Sequence, residues 1–257
     1  MRASLSADTL VVLLLATVRM SAFFAIAPPF SSRSVPARIK AALAFALALC
    51  ILPNLGSPPK LDLPSLLGAT LWQVAVGATM GFVVQIAVAV VQAAGELLDL
   101  ASGFTLASLY DPLSNVSSSM FGRIQQLLAI TLLFAANGHL ILVRGLMMTF
   151  ETVPLRPLAI GDLARLVTDD LGRFLAGALQ IAAPVLVVLF LSELALGLIS
   201  RAVPTLNIFA MSFPVKILLA ISLAGVTFSL LPGAVSRLLD QATRDMVSVA
   251  QMMGTRS

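Results

Sequence analysis

Charge is scarce in this chain: Asp, Glu, Lys and Arg make up 11% of its 257 residues, where a soluble globular domain carries about 25%. So little polar surface cannot keep a body of this size in water, which excludes a soluble enzyme. Cysteine is limited to Cys50, so no intramolecular disulfide framework is available. The single histidine, His139, excludes the two-histidine metal motif H-E-x-x-H, and neither G-x-S-x-G nor a P-loop occurs. No catalytic residue, metal site or cofactor is therefore expected. Lys and Arg number 16 against 12 Asp and Glu, but no basic run exists to track a phosphate backbone, and nucleic acid is excluded as a partner. Pro and Gly, at 14 and 16, are too ordinary for a collagen-like or Pro/Gly-rich disordered chain.

What fills the space is apolar: 59% of residues are hydrophobic and the mean hydropathy is +1.01. Six runs stand out, at 9–27 (interrupted by Arg19), 41–52, 66–95, 124–143, 174–192 and 217–236. About 20 apolar residues of helix cross a hydrocarbon layer. The second run is too short unless Arg38 and Lys40 snorkel. The third is about 45 Å long as a helix, so it must tilt, kink or protrude. The expected fold is all-α, a membrane-associated bundle of long, kinked hydrophobic helices in one domain spanning 1–257. The first run imitates a signal peptide, but Asp8, Arg19 and Pro28-Pro29 argue for its retention. Lys and Arg divide nine against six between the two sides of such a topology, a poor orientation signal that weakly favours both termini in the cytoplasm. Something besides simple insertion is expected to decide where the chain finally sits.

Charges in apolar surroundings need a partner or a wet surface. Glu96 and Asp99 are three apart, on one helix face, and Asp111 follows; together they make either a proton relay or cation site, or a solvated loop between helices. The 103–119 stretch has turn-forming Gly103 and Asp111-Pro112, yet Phe104, Leu106, Leu109 and Tyr110 are apolar. Such a loop must bury itself, either on its own bundle or as a plug in a pore formed with other chains. Asn137-Gly138-His139 breaks the fourth run, with His139 a hydrogen-bonded structural residue or a proton carrier. Glu193 and Arg201 share a helix face without touching, after which Pro204, Asn207 and Pro214 disrupt the helix before Lys216. Breaks at membrane depth are tolerated only where backbone is buried in protein or faces water. Gly77 and Gly81 form a GxxxG that permits close helix packing. Cys50 reads as a small buried apolar residue.

Several stretches taken in order resemble one family. ELALGLISR (Glu193 to Arg201), VPTLNIF (Val203 through Pro204 and Asn207 to Phe209) and FPVK (Phe213, Pro214 and Lys216) are similar to the C-terminal signature of the FliR family of flagellar export-gate subunits, whose relatives are the T subunits of virulence injectisomes. Gly95-Glu96, the spacing from Gly103 to Asp111-Pro112, Asn137-Gly138-His139, and Arg19, Pro28-Pro29, Val35-Pro36 and Arg38 fit the same pattern. Thr205 stands where the family often has Gln. The resemblance implies one such subunit joined to multiple P-type and Q-type subunits (FliP and FliQ), with an FlhB-type switch subunit, in a helical gate. That gate sits in the inner membrane at the flagellar basal body and passes unfolded export substrates.

It also implies that sister subunits, rather than lipid alone, hold the apolar helices. The 103–119 stretch matches the family's plug, with Phe104, Leu106, Leu109 and Tyr110 blocking the pore beside Asp111 and Pro112. Glu193, Arg201, Asn207 and Lys216 become candidates for contacts between subunits, and Glu96, Asp99, His139, Pro204, Phe209 and Pro214 for supporting structural positions. The expected function is a non-enzymatic structural and gating subunit of the flagellar type III export channel, required for flagellum assembly. Its alternatives are the virulence counterpart and, from another class, a standalone proton-coupled transporter using Glu96, Asp99 and His139.

Overall fold

The computed structural model describes residues 7–32, 34–55, 62–107, 119–153, 155, 163–203 and 208–254. Within these helices the side chains at 54, 106–107, 163–171, 173, 208–210, 249 and 252–254 are also outside the description. Among the described residues every regular element is helical: α1 (Ala7–Ile26), α2 (Ala37–Ile51), α3 (Leu63–Ser102), α4 (Phe104–Ala107), α5 (Met120–Ala135), α6 (Gly138–Thr152), α7 (Leu163–Ala202) and α8 (Ile208–Gly254), with a 3-10 turn at Leu52–Asn54. Four helices are long and apolar enough to cross a membrane, or five spans if α5 and α6 count as one broken crossing.

Local chemistry sets the helix ends. α1 stops at Ile26 because Pro28 disfavours helical backbone at Ala27. Asp62 starts α3: its carboxylate accepts from the Ser65 amide at 3.3 Å and the Ser65 hydroxyl at 3.0 Å, the ordinary work of an N-cap. At the other end Gly103 takes φ +88, the left-handed conformation that ends many helices and suits glycine. Asn137 takes φ 54 and breaks the chain between α5 and α6, as the Asn137-Gly138-His139 pattern led one to expect. Thr17, Thr70, Thr79 and Thr131 each donate to the carbonyl four residues back, which pairs these hydroxyls within their own helices.

The helices extend beyond the apolar runs that announce them, because a charged residue interrupts hydropathy without stopping a helix. The third run lies in a continuous α3 of 40 residues, about 60 Å long and twice the hydrocarbon thickness. The sixth lies in α8, which is 47 residues long. Two expectations fail here. Pro214 does not disrupt the helix before Lys216; it lies inside α8, as Pro232 does, while Pro184 lies inside α7. Each costs a backbone bond, but α8 carries on through both. Cys50 is exposed, on an α2 whose buried positions are Ala44, Ala48 and Ile51.

The chain forms two compact units. The first comprises Met1–Ala87, Ala136–Asp170 and Leu239–Ser257. In it α1 buries Leu15, Met20, Phe23 and Phe24, and α3 buries Trp72, Val76 and Met80. The GxxxG acts inside the chain: a Cβ on Gly77 would strike the Arg19 carbonyl, and one on Gly81 would come within 3.0 Å of the Phe23 carbonyl and of Ile26. Those two glycines let the α1 and α3 backbones touch. The second unit comprises Val88–Ala135 and Leu171–Leu238. Its core joins Ala94 and Leu98 of α3, Phe121 of α5, Ala182, Val185 and Leu189 of α7, and Ala220 of α8.

Candidate functional site

The second unit brings the ends of the 103–119 stretch to one residue, Asp99. Gly95 and Asp99 are four apart on α3, hence on one face. Opposite them on α5 stands Gly122, and a Cβ on Gly95 would lie 2.5 Å from the Gly122 Cα and N. That backbone contact carries the Asp99 carboxylate onto the start of α5. Oδ1 accepts the Phe121 amide at 3.1 Å, while Oδ2 accepts the Gly122 amide at 3.1 Å and the Ser119 hydroxyl at 2.9 Å. These amides belong to the first turn, which has no partner within its own helix, and the helix dipole favours an anion there. Ser119 stands at the N-cap position, yet its hydroxyl donates to Asp99 instead of accepting from the turn. The cap of α5 is thus supplied by another helix.

At the near end the Asp99 carbonyl accepts from the Thr105 hydroxyl at 3.1 Å and the Ser102 hydroxyl at 3.3 Å. Phe104 meets Phe121 edge to face, centroids 5.7 Å apart, a geometry favoured by ring quadrupoles. Gly103 is pressed against Phe213 of α8, whose Cδ1 would lie 2.7 Å from an added Cβ. Of the expected blocking residues, Phe104 is half-buried and packs on the second-unit core. Leu109, Tyr110, Asp111 and Pro112, with the side chain of Leu106, lie outside the described residues.

The acidic pair divides. Asp99 is fully buried as a cap, so the reading of this region as a solvated loop is corrected for it: the residue lies on α3 and out of water. Glu96 is exposed and accepts from Gln92 at 2.8 Å. His139 is half-buried in the first turn of α6. No group of three or more His, Cys, Asp or Glu that could hold a metal occurs among the described residues.

Further along, Glu193 and Lys216 are joined, Oε1 to Nζ at 2.9 Å, a pairing of α7 with α8 that the spacing of Glu193 and Arg201 did not suggest. Arg201 is exposed on α7, and Pro214 is exposed on α8. Pro204, Asn207 and the side chain of Phe209 lie outside the described residues.

Sequence reasoning missed the polar centre of the first unit. Arg19, which reads as an interruption of α1, is completely buried. Its Nε donates to Gln73 Oε1 of α3 at 2.6 Å, and its terminal nitrogens donate to the Thr149 and Val153 carbonyls at 3.1 and 3.0 Å. The guanidinium stands 4.1 Å above the Phe150 ring, a cation–π distance. It therefore closes the C-terminal end of α6, where the Val153 carbonyl beyond the last turn and the negative dipole end receive a cation. The signal available was a lone arginine within an apolar span, which demands acceptors.

Known proteins are similar in sequence along most of this architecture. A family model described as bacterial export proteins, family 1, matches residues 10–242. The chain is 36% identical over 220 residues to the flagellar biosynthetic protein FliR of Escherichia coli (strain K12), covering 83% of each. It is 29% identical over 246 residues to the flagellar biosynthetic protein FliR of Bacillus subtilis (strain 168), covering 94% of this chain and 95% of that one. To the Yop proteins translocation protein T of Yersinia pestis it is 27% identical over 207 residues, 77% of this chain and 78% of that one. The shared span runs from α1 through most of α8, across both polar centres, and on it the chain belongs to family 1 of the bacterial export proteins, the FliR-type family.

Proposed function

We propose that this chain is a structural and gating subunit of the flagellar type III protein export channel, placed in the bacterial inner membrane at the flagellar basal body. It works without catalysis, alongside P-type and Q-type subunits (FliP and FliQ) and an FlhB-type switch subunit, and the cargo is unfolded export polypeptide. The carrying observation is the match over residues 10–242, with flagellar proteins among the relatives. The Yersinia relative favours the virulence counterpart as the second reading. Restoration of swimming in a host strain lacking its own flagellar counterpart decides for the first; failure there with restored effector secretion decides for the second.

Helix burial supports an assembled subunit. In the apolar window of α3, 56% of residues are buried within the chain, against 22% in α7 and 28% in α8. The uncovered faces carry Leu175, Leu179, Val187, Phe190, Leu191 and Leu198 on α7, and Leu218, Ile221 and Leu230 on α8. Contiguous apolar surface of this kind marks association with protein or membrane. Sister subunits covering it would shield α7 and α8 as α3 is shielded here. Glu193, Arg201, Asn207 and Lys216 border that surface in sequence and are proposed for contacts between subunits.

The 103–119 stretch is the proposed plug. Its apolar side chains exclude ions at rest. Deleting residues 106–111 should leave complex yield normal and make the inner membrane leak small dyes. A normal yield with unchanged leak removes the plug assignment.

A further inference from the structure

We infer that Asp99 is the positioning residue of the closed gate, a clasp that fixes both ends of the 103–119 stretch at once. This rests on the plug reading proposed above and deepens it. Two independent sets of bonds meet at this residue. Its carboxylate takes the Phe121 and Gly122 amides and the Ser119 hydroxyl, which sets the far end. Its carbonyl takes the Thr105 hydroxyl, which sets the near end, while the Ser102 hydroxyl bonds within α3, to the Leu98 carbonyl at 2.7 Å and the Asp99 carbonyl at 3.3 Å. Phe104 against Phe121 adds an apolar staple across the same two ends.

The residue is fully buried, so these bonds face no competition from water, and bonds to a charged acceptor are the stronger kind. The arrangement also removes the local alternative. A serine at an N-cap ordinarily accepts from the second or third amide of its own helix; here the Ser119 hydroxyl donates, and the amides go to α3. The start of α5 is therefore defined by where α3 ends. Any movement that separates the ends of the stretch breaks the cap of α5, and any movement that keeps the cap keeps the ends together.

A residue that only caps α5 can be replaced by a local cap, whereas a clasp cannot. The test uses the assembled complex in cells, scoring recovery of the complex and leak of a small dye across the inner membrane. Asp99→Ala combined with Ser119→Asp restores an acceptor for the first turn of α5 but leaves that end untied from α3. This double variant should assemble at normal yield and leak about tenfold more than the unaltered protein, the population shift that ~1.4 kcal/mol produces. Normal yield with no added leak, while deletion of 106–111 does leak, overturns the clasp and leaves the plug reading standing. If neither leaks, both fall. Should the double variant not assemble, Thr105→Val decides: it removes the near-end bond and leaves the α5 cap untouched. It should raise the leak about threefold, in keeping with one neutral hydrogen bond, and an unchanged leak overturns the clasp.

Discussion

Two buried charges, Arg19 in the first unit and Asp99 in the second, sit in nearly all-apolar surroundings and both find partners in the main chain at the end of a helix. Arg19 reaches the carbonyl end of α6 and Asp99 the amide end of α5. A helix terminus offers several unpaired groups of one sign together, so it satisfies a buried ion without a second charge having to be desolvated. The two centres differ in what they tie. Arg19 joins three helices, α1, α3 and α6, that are already packed along their lengths. Asp99 joins the two ends of a stretch that leaves one helix and returns as another. The same device makes a permanent lock in one place and a clasp in the other.

The largest effect is expected where the lock is removed. Arg19→Leu leaves Gln73 Oε1 and the Val153 carbonyl buried without their donor, each loss costing about 1–3 kcal/mol, and empties the space over Phe150. Against a total stability of about 5–15 kcal/mol, that should largely abolish recovery of the chain with its complex. Arg19→Lys keeps the charge but not the planar fork that reaches acceptors on three residues, so recovery should be intermediate. Full recovery of Arg19→Lys would show that charge alone suffices and would break the parallel with Asp99, whose two oxygens are both in use.

Much of this fold could be read from residues alone, and the reasons it could not be read fully are specific. Long apolar runs located α1, α3, α7 and α8 because a membrane-length helix needs little else to announce it. Asn137-Gly138 marked the break between α5 and α6 because asparagine tolerates positive φ. Pro214 misled, since proline is a dependable stop only where water is the alternative partner for the backbone. Glu96 and Asp99 share a face by spacing, but spacing does not say which of them sends its carboxylate to the α5 amides; that follows from Gly95 touching Gly122. Arg19 was visible and its role was not, because its acceptors lie 54, 130 and 134 residues away and two of them are carbonyls, which leave no trace in side-chain chemistry.

A second pair of variants sharpens the comparison with an intermediate effect. Gly77 and Gly95 both let backbones touch, the first beneath Arg19 and the second beside Asp99. An added methyl must push the neighbouring helix away, at about 1–3 kcal/mol. Gly77→Ala should lower complex recovery without altering dye leak in what assembles. Gly95→Ala moves α5 away from the Asp99 carboxylate, so the surviving complex should leak. Equal leak from both variants would mean that general loosening, rather than the clasp, opens the gate.

The smallest effect is expected at Glu193, and its size is what makes it informative. The Glu193 side chain is 65% exposed and that of its partner Lys216 12%, and with one member open to water such a pair contributes about 1 kcal/mol. Within the chain alone, then, Glu193→Gln should shift thermal unfolding of the purified protein barely at all. A change of 1 kcal/mol corresponds to about a fivefold change in an equilibrium, so loss of complex recovery beyond fivefold cannot come from the internal pair. Such a loss would place Glu193 against a sister subunit, where Lys216 serves to hold it in position; recovery within fivefold would leave it a solvated side chain, with α7 docking through its apolar face.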